Sequence, residues 1–184
     1  MLNLFWALTP GRWRVPLVDL ICMISAGGRL IPKASVGAII TSGVDGSQRV
    51  FLVRRAYQPF KDYWCLPGGN IKRNEQAIDA IVREVKEETG LDFEPHFWRY
   101  FDEIIPDMGI HSIVLVFTGP ALGETGLPRD EVTEICRFPL TEARCLKLAF
   151  CHGMILDEFA ALQGQSSLLA RAMSPTKPCP TVVL

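Results

Sequence analysis

Residues 69–91 read GNIKRNEQAIDAIVREVKEETGL and directly follow Leu66-Pro67-Gly68. With Glu84 at the origin of a helical wheel of about 100° per residue, Glu87 falls near 300° and Glu88 near 40°. Three carboxylates therefore share one arc. Ile78, Ile81, Val82 and Val85 fill the neighbouring arc as an apolar stripe, which predicts an amphipathic helix with its acidic arc at the rim of the packed face. Ala77 and Ala80 lie on the acidic arc, where small side chains leave room for something bound above it. Asp79, Arg83 and Lys86 point away from the stripe, and Gly90 ends the helix.

Like charges three and four residues apart on a helix repel each other. One reading is a solvated acidic face beside Lys86 and Arg83. The other is a hard divalent cation that neutralises the cluster, since Mg²⁺ takes oxygen ligands. The rim position favours the cation. So does the Pro67-Gly68-Gly69 turn with Lys72 and Arg73 behind it, a loop able to offer backbone N–H groups and cations to phosphate.

Outward from this helix, residues 34–164 read as a compact α/β domain. The apolar runs 35–41 and 50–53, separated by Gly43, Asp45 and Gly46, predict a hairpin closed at its far end by Arg54 and Arg55. Residues 97–105 and 111–118 form a second strand pair across Pro106, Asp107 and Gly109. Its SIVLVFT stretch (112–118) is nearly all apolar, as for a strand buried on both faces. Residues 132–138 predict another strand, stopped by Pro139. Helices are expected after Thr141 and over about 153–162. Residues 1–33 are an apolar but irregular extension, broken by Pro10, Gly11, Pro16, Gly27, Gly28 and Pro32. They suit an added packed element, a contact in a homodimer, or a leader. Residues 165–184, with Pro175, Pro178 and Pro180, read as a frayed tail.

Composition narrows the function classes. The chain has 184 residues, 48% hydrophobic and 21% charged, which is ordinary globular usage rather than that of a disordered segment. Nineteen Lys and Arg against 20 Asp and Glu leave a net charge of −1. This argues against a protein that coats duplex nucleic acid. Six cysteines include no C-x-x-C pair, as expected of reduced thiols in the cytoplasm. No uncharged stretch near the start approaches the ~20 residues a bilayer needs. Arg12 and Arg14 follow the first apolar run rather than precede it, unlike a signal peptide.

Gly69, Glu75, Arg83, Glu84, Glu87, Glu88 and Gly90, with apolar Val85 and Leu91, stand at the spacing G-x5-E-x7-R-E-apolar-x-E-E-x-G-apolar. In this the chain resembles the Nudix hydrolase family, and the likeness runs over about residues 31–159. The resemblance implies an α/β protein, a Nudix-type α/β/α sandwich around a mixed β-sheet. It implies hydrolysis, dependent on Mg²⁺ or Mn²⁺, of the pyrophosphate in a nucleoside diphosphate linked to another moiety. Glu84, Glu87 and Glu88 are then the metal ligands, with Gly69 counted in the same metal set and allowing a tight backbone turn. Glu75 and Arg83 form a supporting ion pair. Either Glu87 or Glu88, or Glu131 or Glu134, takes the proton of the attacking water, and Glu134 is expected to approach the metal site.

The strings PKASVGAII, VFLVRRAYQPFKDYWCLPGG and HSIVLVF look most like the small proteins grouped with ADP-ribose pyrophosphatases. An ADP-ribose-like substrate is the leading expectation. A MutT-like hydrolase of (oxidised) nucleoside triphosphates and a non-catalytic nucleotide-sensing module are the alternatives. Arg54 and Arg55 are candidate phosphate contacts or surface cations. Tyr57, Phe60, Tyr63 and Trp64 suit either core packing or stacking on a base. Phe150-Cys151-His152 stand where relatives often show Phe-Asp-His, so His152 is a substrate contact or packs and caps the last helix. Phe138 replaces a tryptophan of many relatives and is read as a packing residue. Substrate choice is expected to lie in loops 43–49, 57–63 and 119–130.

Overall fold

The computed structural model describes residues 32–42, 48–128 and 131–173, with side chains through residue 164. The turn at residues 43–47, most of the N-terminal extension and the segment 174–184 lie outside the described residues. In chain order the elements are β1 (Lys33–Ser42), β2 (Arg49–Arg55), β3 (Trp64–Cys65), β4 (Gly68–Asn70), α1 (Ala77–Thr89), β5 (Asp92–Phe93), β6 (His96–Ile105), β7 (Ile110–Gly119), β8 (Ala121–Leu122), β9 (Val132–Pro139), α2 (Leu140–Ala143) and α3 (His152–Met173). A single 3-10 turn, Pro106–Met108, joins β6 to β7.

Residues 36–40 of β1 are all buried, so this strand needs a layer on each face and neighbours on each edge. It has them. The mixed seven-stranded sheet runs β3-β2-β1-β7-β6, with β4 also paired to β1 and β9 to β2. β1 and β7 are parallel, with Lys33 opposite Ser112 and Ile40 opposite Gly119. The expected hairpin of β1 and β2 survives only at its tip, where Thr41 faces Val50 and Ser42 faces Arg49. Beyond the tip β1 turns to β7 and β4, while β2 turns to β3 and β9. The β6–β7 hairpin forms where expected.

Alternate β1 residues feed two cores. Val36, Ala38 and Ile40 pack with Ala80, Ile81 and Val85 of α1 and with Phe117. Ile39 packs on the other face with Val50, Leu52, Leu66, Val114, Val116, and with Ile155, Leu156 and Phe159 of α3. This is the helix–sheet–helix sandwich of the α/β class. β7 is less enclosed than its composition suggests: Ile113 is 40% exposed, because α1 does not reach over the outer strands.

The helices differ from expectation in three ways. α2 begins at Leu140, just before Thr141, and Pro139 closes β9 rather than following it. α3 continues past Leu162 to Met173, into the stretch read as a frayed tail. Nothing in residues 163–173 breaks a helix as proline does, and the first proline comes only at Pro175. On α1 the buried residues are Ala80, Ile81, Val85 and Thr89, while Ile78 and Val82 stay exposed. The packed face is thus rotated toward the glutamates. Ala77 and Ala80 bring the helix close to the sheet instead of leaving room above it.

Among the described residues Cys65, Cys136, Cys145 and Cys151 are unpaired. Burial pushes the thiols of Cys65 and Cys151 up to about 12, which makes them poor nucleophiles. No described helix is long and apolar enough to cross a membrane.

Candidate active site

The Pro-Gly-Gly segment is not a free turn but the short strand β4, with Gly69 opposite Val36 and Gly68 opposite Gly37. β4 lies so close to its neighbours that side chains do not fit. A Cβ at Gly68, whose φ is +154°, would stand 2.1 Å from the Val36 carbonyl oxygen. One at Gly69 would stand 2.7 Å from the carboxyl carbon of Glu84. Gly69 therefore serves close approach of a carboxylate to backbone, not the tight turn expected of it. The Gly68 N–H donates to Glu88 Oε2 at 2.9 Å. The rotated packing of α1 thus seats Glu84 and Glu88 on the β4 backbone.

Arg83 binds this cluster together. Its Nε and Nη2 donate to the two carboxylate oxygens of Glu75, at 2.6 and 2.9 Å. Its Nη1 donates to Glu84 Oε1 at 2.6 Å and to Glu87 Oε2 at 3.2 Å. The fork on Glu75 is the bidentate geometry that makes arginine–carboxylate pairs strong, and it holds the Glu75 carboxyl down at about 2. Lys72 offers its N–H to Glu75 Oε2, and its ammonium lies 3.8 Å from Glu87 Oε1. Arg73 is exposed.

The three arc carboxylates have different surroundings. Burial pushes Glu88 up to about 8, the Gly68 N–H opposes that shift, and the charges of Glu84 and Glu131 add to it. Burial also raises Glu84, against the pull of Arg83. Glu87 is exposed. Glu134, expected near this cluster, instead accepts from Arg54 Nη1 at 3.5 Å and from the Cys136 thiol at 3.3 Å. The downstream carboxylate whose charge reaches Glu88 is Glu131.

Hard oxygen donors, a glycine cradle that any Cβ would fill, and the repulsion of Glu88 by Glu84 and Glu131 suit a divalent cation. Among the described residues, however, no three metal-ligating side chains stand ready-gathered. Arg83 Nη1 reaches both Glu84 and Glu87, so a cation there competes with one guanidinium nitrogen while the other two keep their hold on Glu75.

Arg54 and Arg55 brace the 57–63 loop: Arg54 Nε donates to the Asp62 carbonyl at 3.1 Å and Arg55 Nε to the Pro59 carbonyl at 2.9 Å. The Arg55 guanidinium lies 4.8 Å from the centre of the Phe150 ring, and its charge is felt by Glu88. Phe60 packs edge-on against Tyr63 and Phe150, and Trp64 against Phe138. Of the four aromatics, Tyr57 alone is largely exposed.

His152 is a buried packing group at the start of α3. Its Nδ1 accepts the Leu66 N–H at 2.9 Å, and burial holds the ring neutral, with its pKa lowered to about 3. An unfolded histidine protonates near its ordinary value of about 6.5. Between these values the unfolded chain binds more protons than the folded one, so stability is lost as pH falls from 6.5 toward 3. Asparagine at 152 keeps an acceptor for the Leu66 N–H without ionising. We expect His152→Asn to flatten the pH dependence of the urea unfolding midpoint across that window; an unchanged slope would contradict the assignment.

One residue has no place in the sequence pattern of the site. Glu103 is buried on β6 and accepts the Cys151 N–H at 3.1 Å. Its only signal was phase, two residues from Phe101 on the inward face. Gly68 is expected from sequence only as part of a turn offering N–H groups to phosphate, and nothing there signals its contact with Val36. Separately, a shallow groove of about 480 Å³ opens beyond the end of α1, lined by Phe51, Leu91, Ile135, Arg137 and residues 123–125. Part of the expected specificity loop 119–130 thus borders an open groove.

A family model described as NUDIX domain matches residues 32–159. The ADP-ribose pyrophosphatase of Methanocaldococcus jannaschii is 31% identical over 131 residues, covering 71% of this chain and 74% of that protein. The putative mutator protein MutT4 of Mycobacterium tuberculosis is 28% identical over 142 residues, 72% of this chain but only 56% of its own length. The NUDIX domain of Shewanella oneidensis NrtR, solved in complex with ADP ribose, superposes with a TM-score of 0.64 at 21% identity. It covers 77% of this chain and 92% of that one, a likeness of fold.

Proposed function

Because the chain belongs to the Nudix hydrolase family, we propose that it is a divalent-metal-dependent pyrophosphohydrolase of an ADP-ribose-like nucleotide. The observation that carries this reading is the seating of Glu84 and Glu88 on the β4 backbone, with Glu84 also held by the Arg83 that clamps Glu75 and every carboxylate of the family's spacing present. The likeness to the M. jannaschii pyrophosphatase supports the substrate class.

Nudix hydrolases generally use divalent metals. Glu84, Glu87 and Glu88 would hold the cation here, and when bound it screens the pyrophosphate charge and lowers the pKa of the attacking water. The remaining work falls to the chain's own groups. Gly68 N–H fixes the Glu88 carboxylate, and Arg83, anchored on Glu75, keeps Glu84 and Glu87 oriented. Arg55, whose charge reaches Glu88, would meet a phosphate oxygen. Glu131 is left to accept the water's proton.

Turnover of ADP-ribose and of 8-oxo-dGTP, compared with and without Mg²⁺, tests the proposal. We expect Mg²⁺-dependent release of AMP and ribose 5-phosphate, with kcat/KM for ADP-ribose at least about tenfold higher, a margin of ~1.4 kcal/mol. The likeness to the mutator protein motivates a second reading, cleavage of a nucleoside triphosphate to monophosphate and pyrophosphate. A reversed preference would select it. Binding of ADP-ribose without any cleavage would leave only a nucleotide sensor.

A further inference from the structure

The outer strands carry an apolar face that no described element covers. On β6, Tyr100 stands opposite Leu115 and Ile104 opposite His111, while Ile113 of β7 faces Asp102. Leu115 packs into the core beneath α1, so these side chains lie on the α1 side of the sheet. Phe97 joins them, its ring 5.7 Å from that of Phe117 in the same core. On α1 the flank turned away from Glu84 and β4 presents Ile78 and Val82. These six residues are each between 38% and 59% exposed. Exposed apolar side chains gathered on one face of a domain mark a surface that something covers.

We infer that residues 1–31 of this same chain cover it. Three observations select that occupant. The chain enters the sheet at the patch: Lys33 is opposite Ser112 and Ala34 is opposite Ile113. At ~3.3 Å per extended residue, only a few residues are needed to reach Ile104 from there. The segment has the matching chemistry. It carries Leu4, Phe5, Trp6, Leu8 and Trp13, and its charged residues are Arg12, Arg14, Arg29 and Asp19, a positive balance facing a patch whose carboxylate is Asp102. Finally, the family match begins only at residue 32, so this segment is an addition to the shared domain rather than part of it.

Limited trypsin digestion of the full chain tests this, because Arg12, Arg14 and Arg29 lie in the proposed cover. In the Tyr100→Glu/Ile104→Glu protein, cleavage at Arg12 and Arg14 should be about tenfold faster than in the wild type, as local opening becomes easier. Leu127→Glu, a change at an exposed leucine outside the patch, should leave the rate alone. Ile78→Gln/Val82→Gln approaches the same patch from the helix side and stands in if the first variant fails to fold. Equal cleavage rates in wild type and both patch variants would overturn the inference. So would wild-type protection that disappears on dilution, which would assign the face to a second copy of the chain.

Discussion

Glu88→Gln is expected to lower Mg²⁺-dependent turnover about 10³-fold, ~4 kcal/mol of transition-state stabilisation, while the protein melts no earlier than the wild type. Glutamine matches glutamate in size and keeps an oxygen to accept the Gly68 N–H, so β4 and α1 stay in register. What goes is a negative charge that burial already disfavours, so its removal does not weaken the fold. The loss therefore falls on chemistry. Steady-state product release over a Mg²⁺ titration, beside a thermal melt, measures both halves. Full turnover in the variant would remove Glu88 from the proposed metal set. Glu131→Gln is the companion: as loss of a proton acceptor it should cost about 10²–10⁴ in rate, with the half-saturating Mg²⁺ concentration unchanged.

Gly68→Ala should be the most damaging single methyl group in the site. The new Cβ would meet the Val36 carbonyl oxygen at 2.1 Å and the Gly37 Cα at 2.8 Å, both backbone atoms of the central strand with nowhere to go. The left-handed φ adds strain. A cost of ~3 kcal/mol or more corresponds to a fall in Tm of roughly 6–12 °C for a chain of this size, and the hydrogen bond to Glu88 is displaced with it. Gly69→Ala provides the contrast. Its Cβ meets the carboxyl end of Glu84, which can swing aside, so activity should fall more than stability. Calorimetry of the two alanine variants separates these cases; equal melting temperatures would show that β4 is not held as tightly as described.

The family resemblance implied the Glu75–Arg83 pair, and the helical spacing made the central helix and its acidic arc legible from residues alone. The direction the helix faces was not. A wheel weights large apolar side chains and so chose Ile78 and Val82, whereas the sheet accepts the small face of Ala80 because it lets the backbones approach. The same limit hid Gly68, whose significance depends on Val36, a residue 32 positions earlier in the chain. The partner of Glu134 depends on an irregularity of pairing. Arg54 faces Glu134 but Arg55 faces Val132, a one-residue slip beside the Arg54–Glu134 pair. Alternation of residue types carries no sign of it. The β6–β7 hairpin, by contrast, depends on local turn chemistry and was readable throughout.

Pro67 separates two amides with very different duties. The one before it is held by a ring at the start of α3, and the one after it holds the carboxylate of Glu88. Both helical layers of the sandwich are thus anchored to a span of three residues. Between the His152 ring and the Glu88 carboxylate lies only the main chain of Leu66, Pro67 and Gly68, so a disturbance at the far layer has a short path to that carboxylate. If Glu88 holds the cation as proposed, residues that need never meet a nucleotide should tune the rate from behind.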